Sequence, residues 1–153
     1  MPEISQSAPD FTLPSTGGDD VTLSALKGQP VVLFFYPRDD TPGCTKESIG
    51  FSENKTAFEE AGAKVFGISK DSTASHEKFA AKRSLKIPLL SDENGTVCED
   101  YGVWKEKNMY GKKYMGIERT TYLIAADGTV AQVWNKVKVP GHVDAVLEAV
   151  RAL

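Results

Sequence analysis

The stretch Val31-Val-Leu-Phe-Phe-Tyr-Pro-Arg-Asp-Asp-Thr-Pro-Gly-Cys-Thr-Lys-Glu47 constrains this 153-residue chain more than any other, because it carries one cysteine from a buried strand onto the start of a helix. Five of the six residues from Val31 to Tyr36 are β-branched or aromatic, which predicts a central strand, and Pro37, unable to donate to a ladder, ends it. From Thr45 the pattern turns helical, with Ile49, Phe51, Ala57, Phe58 and Ala61 available for an inward face and Gly62 as the stop. Cys44 then falls in the first helical turn, where unpaired backbone N–H groups and the positive end of the helix dipole favour an anion such as a thiolate. Thr41, three residues earlier, is placed to cap that helix.

Elsewhere strands and helices alternate. Phe11–Leu13 and Asp20–Leu23 flank Gly17-Gly18 and predict a small hairpin, followed by one helical turn over Ser24–Gly28. A strand is expected over Lys64–Ser69, a helix from about Ser72 to Ser84, a short strand at Leu89-Leu90, and a helix from Asp92 to Trp104 with Val97, Tyr101 and Trp104 at helical spacing. Thr120–Ala125 and Thr129–Trp134 form a hairpin about Asp127-Gly128, and His142–Ala152 is an amphipathic closing helix. Tyr36, Phe51 and Trp104 are expected in the core, the Lys105–Lys113 cluster as a solvated loop, and His76 and His142 as surface helix residues. This order gives an α/β fold of thioredoxin-like type: a central mixed sheet flanked by helices, with an N-terminal hairpin, in a single domain over residues 1–153.

Composition excludes several classes of function. The net charge of −3 is spread along the chain, so there is no nucleic-acid footprint, and no apolar run approaches the ~20 residues of a membrane span. The N-terminus Met-Pro-Glu-Ile-Ser-Gln has no basic, apolar or cleavable segment. Two cysteines spaced 54 positions apart suit neither a disulfide framework nor a zinc site, which makes a reducing, cytoplasmic compartment the expectation. Neither histidine stands at a ligand spacing, and no metal, flavin or nucleotide cofactor is expected.

Pro37-Arg-Asp-Asp-Thr41-Pro-Gly-Cys44 matches the Pro-x-x-x-Thr-x-x-Cys signature of peroxiredoxins, thiol enzymes that reduce peroxides. Ala8-Pro-Asp-Phe-Thr-Leu-Pro14, Val65-Phe-Gly-Ile-Ser69, Pro88-Leu-Leu-Ser-Asp92, Tyr101-Gly-Val-Trp104 and Gly116-Ile-Glu-Arg-Thr-Thr-Tyr-Leu-Ile124 follow in the order of the peroxiredoxin Q group, also called bacterioferritin comigratory protein. The chain resembles that group over nearly its whole length. The resemblance implies the thioredoxin-like fold, a monomer, and a peroxidase acting on hydrogen peroxide and organic hydroperoxides through a sulfenic acid at Cys44. Thioredoxin, or a glutaredoxin and glutathione couple, would serve as reductant.

Peroxide chemistry sets a requirement on the thiol. A cysteine with pKa near 8.5 is a few per cent ionised at neutral pH, and bringing it to about 6 amounts to about 3.4 kcal/mol in favour of the charged form. A helix terminus supplies only ~0.3–1 kcal/mol, so a fixed cation is needed, and arginine suits because its planar fork stays charged and can contact both sulfur and an incoming oxygen. Arg119, before the strand Thr120–Ala125, is the candidate, and the resemblance implies the same role. Thr41 Oγ and the Cys44 N–H would bind the peroxide oxygens, Pro37 would shield the sulfur as the resemblance implies, and Glu47, one turn after Cys44, could hold the Arg119 fork.

Peroxiredoxin Q proteins carry a resolving cysteine either five residues after the reactive one, where this chain has Ile49, or in the next long helix, at Ala80 here. Cys98 is the one remaining cysteine, and its apolar helical setting reads as packing, with resolution as the alternative. Two other functions compete. A thioredoxin-like disulfide oxidoreductase would need a cysteine where Thr41 stands, and a non-catalytic redox-sensing module would consume peroxide only once per thiol.

Overall fold

The computed structural model describes all 153 residues. Its elements are β1 (Thr12–Pro14), β2 (Asp20–Thr22), a 3-10 turn (Leu23–Leu26), β3 (Val31–Phe35), α1 (Pro42–Glu53), α2 (Lys55–Glu60), β4 (Lys64–Ser69), α3 (Thr73–Arg83), β5 (Leu89–Ser91), α4 (Val97–Asp100), β6 (Trp104–Met109), β7 (Lys112–Ile117), β8 (Thr120–Ile124), β9 (Val130–Trp134) and α5 (His142–Arg151). Five strands form a mixed sheet in the order β5-β4-β3-β8-β9, with β3 parallel to β4 and antiparallel to β8, and β1–β2 make the N-terminal hairpin. This is the thioredoxin-like arrangement expected.

β3 is buried along its whole length, and its period-2 alternation divides the interior into two layers. Val31, Leu33 and Phe35 pack with Phe11, Leu13, Ile68, Leu90, Val97 and Cys98 under the N-terminal hairpin and α4. Val32, Phe34 and Tyr36 pack with Cys44, Phe51, Phe58, Phe79 and Val146, beneath α1, α2, α3 and α5. Each layer buries phenylalanine and tyrosine rings in edge or stacked contact, the arrangement that aromatic quadrupoles prefer.

Several expectations are corrected. The helix after Cys44 is interrupted at Asn54, whose side-chain amide donates to Gly50 O at 2.8 Å in competition with the helical ladder, and α2 begins after it. No helix runs from Asp92 to Trp104: the Asp92 carboxylate accepts the backbone N–H groups of Val97 and Cys98, and Gly102, at φ +71°, stops the chain after one turn. Trp104 opens a strand and is half-buried rather than core. Lys105–Lys113 is a β-hairpin, not a loop. Tyr110 and Gly111 take φ +51° and +78°, the two left-handed positions of a type I′ turn, so Trp104–Met109 folds back on Lys112–Ile117. No helix is long and apolar enough to cross a membrane.

Candidate active site

Pro37 follows the C-terminal end of β3, and the turn through Asp40 delivers Pro42 to the first position of α1, where a missing N–H costs nothing. Cys44 is thus the third helical residue, on the inward side and 1% exposed. The Arg119 guanidinium reaches it from just before β8, with Nη2 donating to Cys44 Sγ at 3.3 Å and Nη1 donating to Glu47 Oε1 at 2.7 Å. Gly43 eases this approach, because a Cβ there would crowd Nη2 at 3.1 Å. The backbone is fixed as well, since Val137 N donates to Arg119 O at 2.9 Å.

The charges around the sulfur work against desolvation. Burial disfavours the Arg119 charge, but Glu47 and Cys44 outweigh it and hold the guanidinium above the ordinary arginine range. Burial pushes the Glu47 carboxyl up to about 7 against the opposing pull of Arg119. Glu47 is fully buried with Oε2 unpartnered, and the Thr45 and Ser48 hydroxyls on the same helix are buried without partners too. Pro37, Lys107, Arg119 and Val137 line a surface groove that shares the Arg119 side chain with the sulfur site. Thr41 occupies the N-cap position of α1 without capping it: its hydroxyl donates to Arg38 O at 2.9 Å. The structure thus brings Cys44, Arg119 and Glu47 into direct contact and sets Thr41 at the head of the same helix.

Cys98 lies elsewhere. It packs against the Val31, Leu33 and Phe35 side of β3, whereas Cys44 packs on the Val32, Phe34 and Tyr36 side, so the sheet separates the two sulfurs. It sits on the single turn of α4, fully buried, and burial together with the Asp92 carboxylate pushes its thiol far above the ordinary value. Lys70 bridges Asp92 and Glu99 at the edge of this layer.

Neither histidine is at the surface. His142 is buried at the start of α5, with Nε2 2.8 Å from Thr121 Oγ1, and burial and the nearby Arg119 charge bring it down to about 4. His76 is fully buried between Asp39 and Leu90. Its spacing of three from the inward-facing Phe79 was the available sequence signal. Asp39, Asp71 and His76 offer ligand atoms within 4.8 Å of one another, but these same atoms are taken up by hydrogen bonds from Tyr36, Ser69, Ser75 and the Asp39 backbone.

Comparison with known proteins agrees with this geometry. Residues 4–133 match the AhpC/TSA family. A putative peroxiredoxin bcp from Coxiella burnetii is 54% identical over 145 residues, covering 95% of this chain and 96% of the relative, and the peroxiredoxin Bcp of Escherichia coli K12 is 44% identical over 140 residues, covering 92% and 90%. Among solved structures, Xanthomonas campestris peroxiredoxin Q superposes with a TM-score of 0.91 at 47% identity, covering 99% of this chain and 96% of that one. A further structure, of the X. campestris bacterioferritin comigratory protein, concerns that protein's alkyl peroxide reduction activity and has a TM-score of 0.91 at 46% identity, covering 99% and 97%. Cys44 held by Arg119 at a helix start, in a chain this similar from end to end, belongs to the AhpC/TSA family, within its peroxiredoxin Q and bacterioferritin comigratory protein group.

Proposed function

We propose that this protein is a thiol-dependent peroxidase that reduces hydrogen peroxide and organic hydroperoxides at Cys44. The observation that carries the reading is the Arg119 fork, with one nitrogen on Sγ and the other on a buried carboxylate. A cation so held stabilises charge on sulfur and remains within reach of an incoming oxygen. Sγ attacks one peroxide oxygen. The S–O bond forms as the O–O bond breaks, the leaving oxygen takes the electron pair and a proton to depart as water or alcohol, and Cys44 becomes a sulfenic acid. The Cys44 N–H and Arg119 stabilise the charge that develops on the oxygens. Because the Thr41 hydroxyl proton is committed to Arg38 O, its oxygen is free to accept the peroxide O–H and orient it. Pro37, on the groove wall, keeps bulk water from the sulfur, and Glu47 holds the fork. Cys44→Ser should abolish peroxide reduction with the fold intact; turnover surviving that change removes the reading.

The sulfenic acid is then reduced by external thiol. One thiol condenses with it to a mixed disulfide and water, and a second releases Cys44 and leaves a disulfide on the reductant, either thioredoxin or a glutathione and glutaredoxin couple. The position of Cys98 behind the sheet supports this one-cysteine scheme, since a disulfide needs Cα atoms within about 7 Å and an ionisable thiol. Dimedone should label Cys44 in the wild-type protein after one equivalent of peroxide. A monomer with both thiols blocked and a mass lower by two hydrogens would make Cys98 the resolving residue instead. The chain is expected to act as a cytoplasmic monomer of one cooperative domain, checked by sedimentation, cell fractionation and a single melting transition.

A further inference from the structure

The turn Pro37–Thr41 takes two residues to the reaction centre and anchors itself by the one between them. The Asp39 side chain is 4% exposed; Oδ1 accepts from Tyr36 Oη at 2.6 Å, and Oδ2 accepts from Ser75 Oγ at 2.8 Å and lies 2.7 Å from His76 Nδ1. The other ring nitrogen of His76 is 2.8 Å from Leu90 O. A carbonyl oxygen only accepts, so Nε2 carries a hydrogen, and another proton lies between Nδ1 and Oδ2. Both nitrogens are therefore committed, one to the turn and one to β5, while the ring itself rides on α3. The Asp39 N–H adds a bond to Asp71 Oδ2 at 2.8 Å, and Asp71 is in turn held by Ser69 Oγ at 2.6 Å.

Two facts connect this network to the chemistry. Asp40, next in the chain, has φ +60°, a left-handed conformation that aspartate takes as a single residue in a turn, so the chain path is sharply defined there. Thr41 follows directly, and its orientation depends on the path of this turn. A buried polar network whose members are all hydrogen-bonded fixes the geometry of the elements it joins. We propose that Asp39 and His76 are positioning residues of the peroxide reaction, clamping the turn to α3 and β5 so that Thr41 Oγ faces a peroxide at Cys44 Sγ, with neither residue touching substrate. The proposal rests on the peroxidase reading above.

The thiol is held independently of the clamp, by Arg119 and Glu47, so two rates separate the roles. His76→Leu, which keeps the volume and removes both tethers, should lower kcat/KM for hydrogen peroxide by about 30- to 100-fold while alkylation of Cys44 by iodoacetamide stays within about twofold of wild type. His76→Asn, whose amide can donate to Asp39 from the Nδ1 position, should recover most of the loss. An unchanged peroxide step in His76→Leu, equal losses in both rates, or an Asn variant no faster than the Leu variant overturns the clamp. If His76→Leu does not fold, Ser75→Ala removes one hydrogen bond to the same carboxylate: a loss of about three- to tenfold in the peroxide step alone supports the clamp, and no change overturns it. Failure of the peroxidase reading is seen in the wild-type protein itself, whereas failure of the clamp is seen only in the ratio of variant to wild type.

Discussion

Cys44 and Cys98 are equally hidden, at 1% and 0% exposure, and they lie on opposite faces of one strand. What differs is the charge each sulfur meets. Cys44 receives an N–H from a guanidinium at a helix start, and Cys98 lies beside the Asp92 carboxylate, which together with burial keeps its thiol protonated. Burial alone therefore does not decide reactivity. Two cysteines of equal burial are thus set apart by the fixed charge that the tertiary structure supplies to each.

Removing the charge on the Cys44 side should have the largest effect. Arg119→Met keeps much of the bulk but deletes the charged donor to Sγ, and it should slow the peroxide step by on the order of a hundredfold or more. Stopped-flow measurement of peroxide consumption checks this, and a rate near wild type would place the activating cation elsewhere.

The carboxylate behind Arg119 has its own signature in stability. Because burial raises Glu47 from 4.5 to about 7, the native state favours its neutral form. That contribution is complete below the unfolded value and is lost as pH rises through about 7, on the order of 3 kcal/mol across the window. His142 works in the opposite sense: lowered from 6.5 to about 4, its contribution is complete above the unfolded value and is lost as pH falls through about 4. Glu47→Gln should thus be more stable than wild type at pH 8, lose that advantage by about pH 4, and expose the acid loss due to His142. Urea midpoints across this range test it, and parallel curves for the two proteins would contradict it. A helix that keeps a buried carboxylate at this cost retains it for its hold on Arg119.

Thr41→Val, near-isosteric, should lower the peroxide rate by about tenfold and leave alkylation by a neutral reagent unaffected, since the proposed mechanism uses the hydroxyl to orient peroxide and the hydroxyl makes no capping bond. Equal losses in both rates would assign it a purely structural part. Cys98→Ser should have the smallest effect on function. Turnover with external thiol stays nearly unchanged, and the cost is one of stability, about 1–3 kcal/mol for a hydroxyl in the layer under the hairpin. A large loss of turnover would bring Cys98 into the catalytic cycle.

Local sequence was sufficient wherever local forces decide. The run Val31–Tyr36 is continuous enough to be a central strand, Pro37 ends it, and Pro42 suits the first position of the helix that follows, so the position of Cys44 at a helix start is legible in the chain itself. The strand Lys64–Ser69 and the helix between the caps Ser72 and Ser84 were legible for the same reason. Spacing misled at Asp92–Trp104, where a helical period is real over one turn and a carboxylate and a glycine confine it there. Lysine-rich composition hid the alternation of β6 and β7, although Tyr110-Gly111 marked the turn. The meeting of Arg119 with Cys44 across 75 positions, the burial of His76 against Asp39 across 37, and the sheet between the two cysteines were settled only by the tertiary structure. Periodicity and capping act within a few residues, whereas the charge that a buried group meets is set by strands and helices brought together from distant parts of the chain.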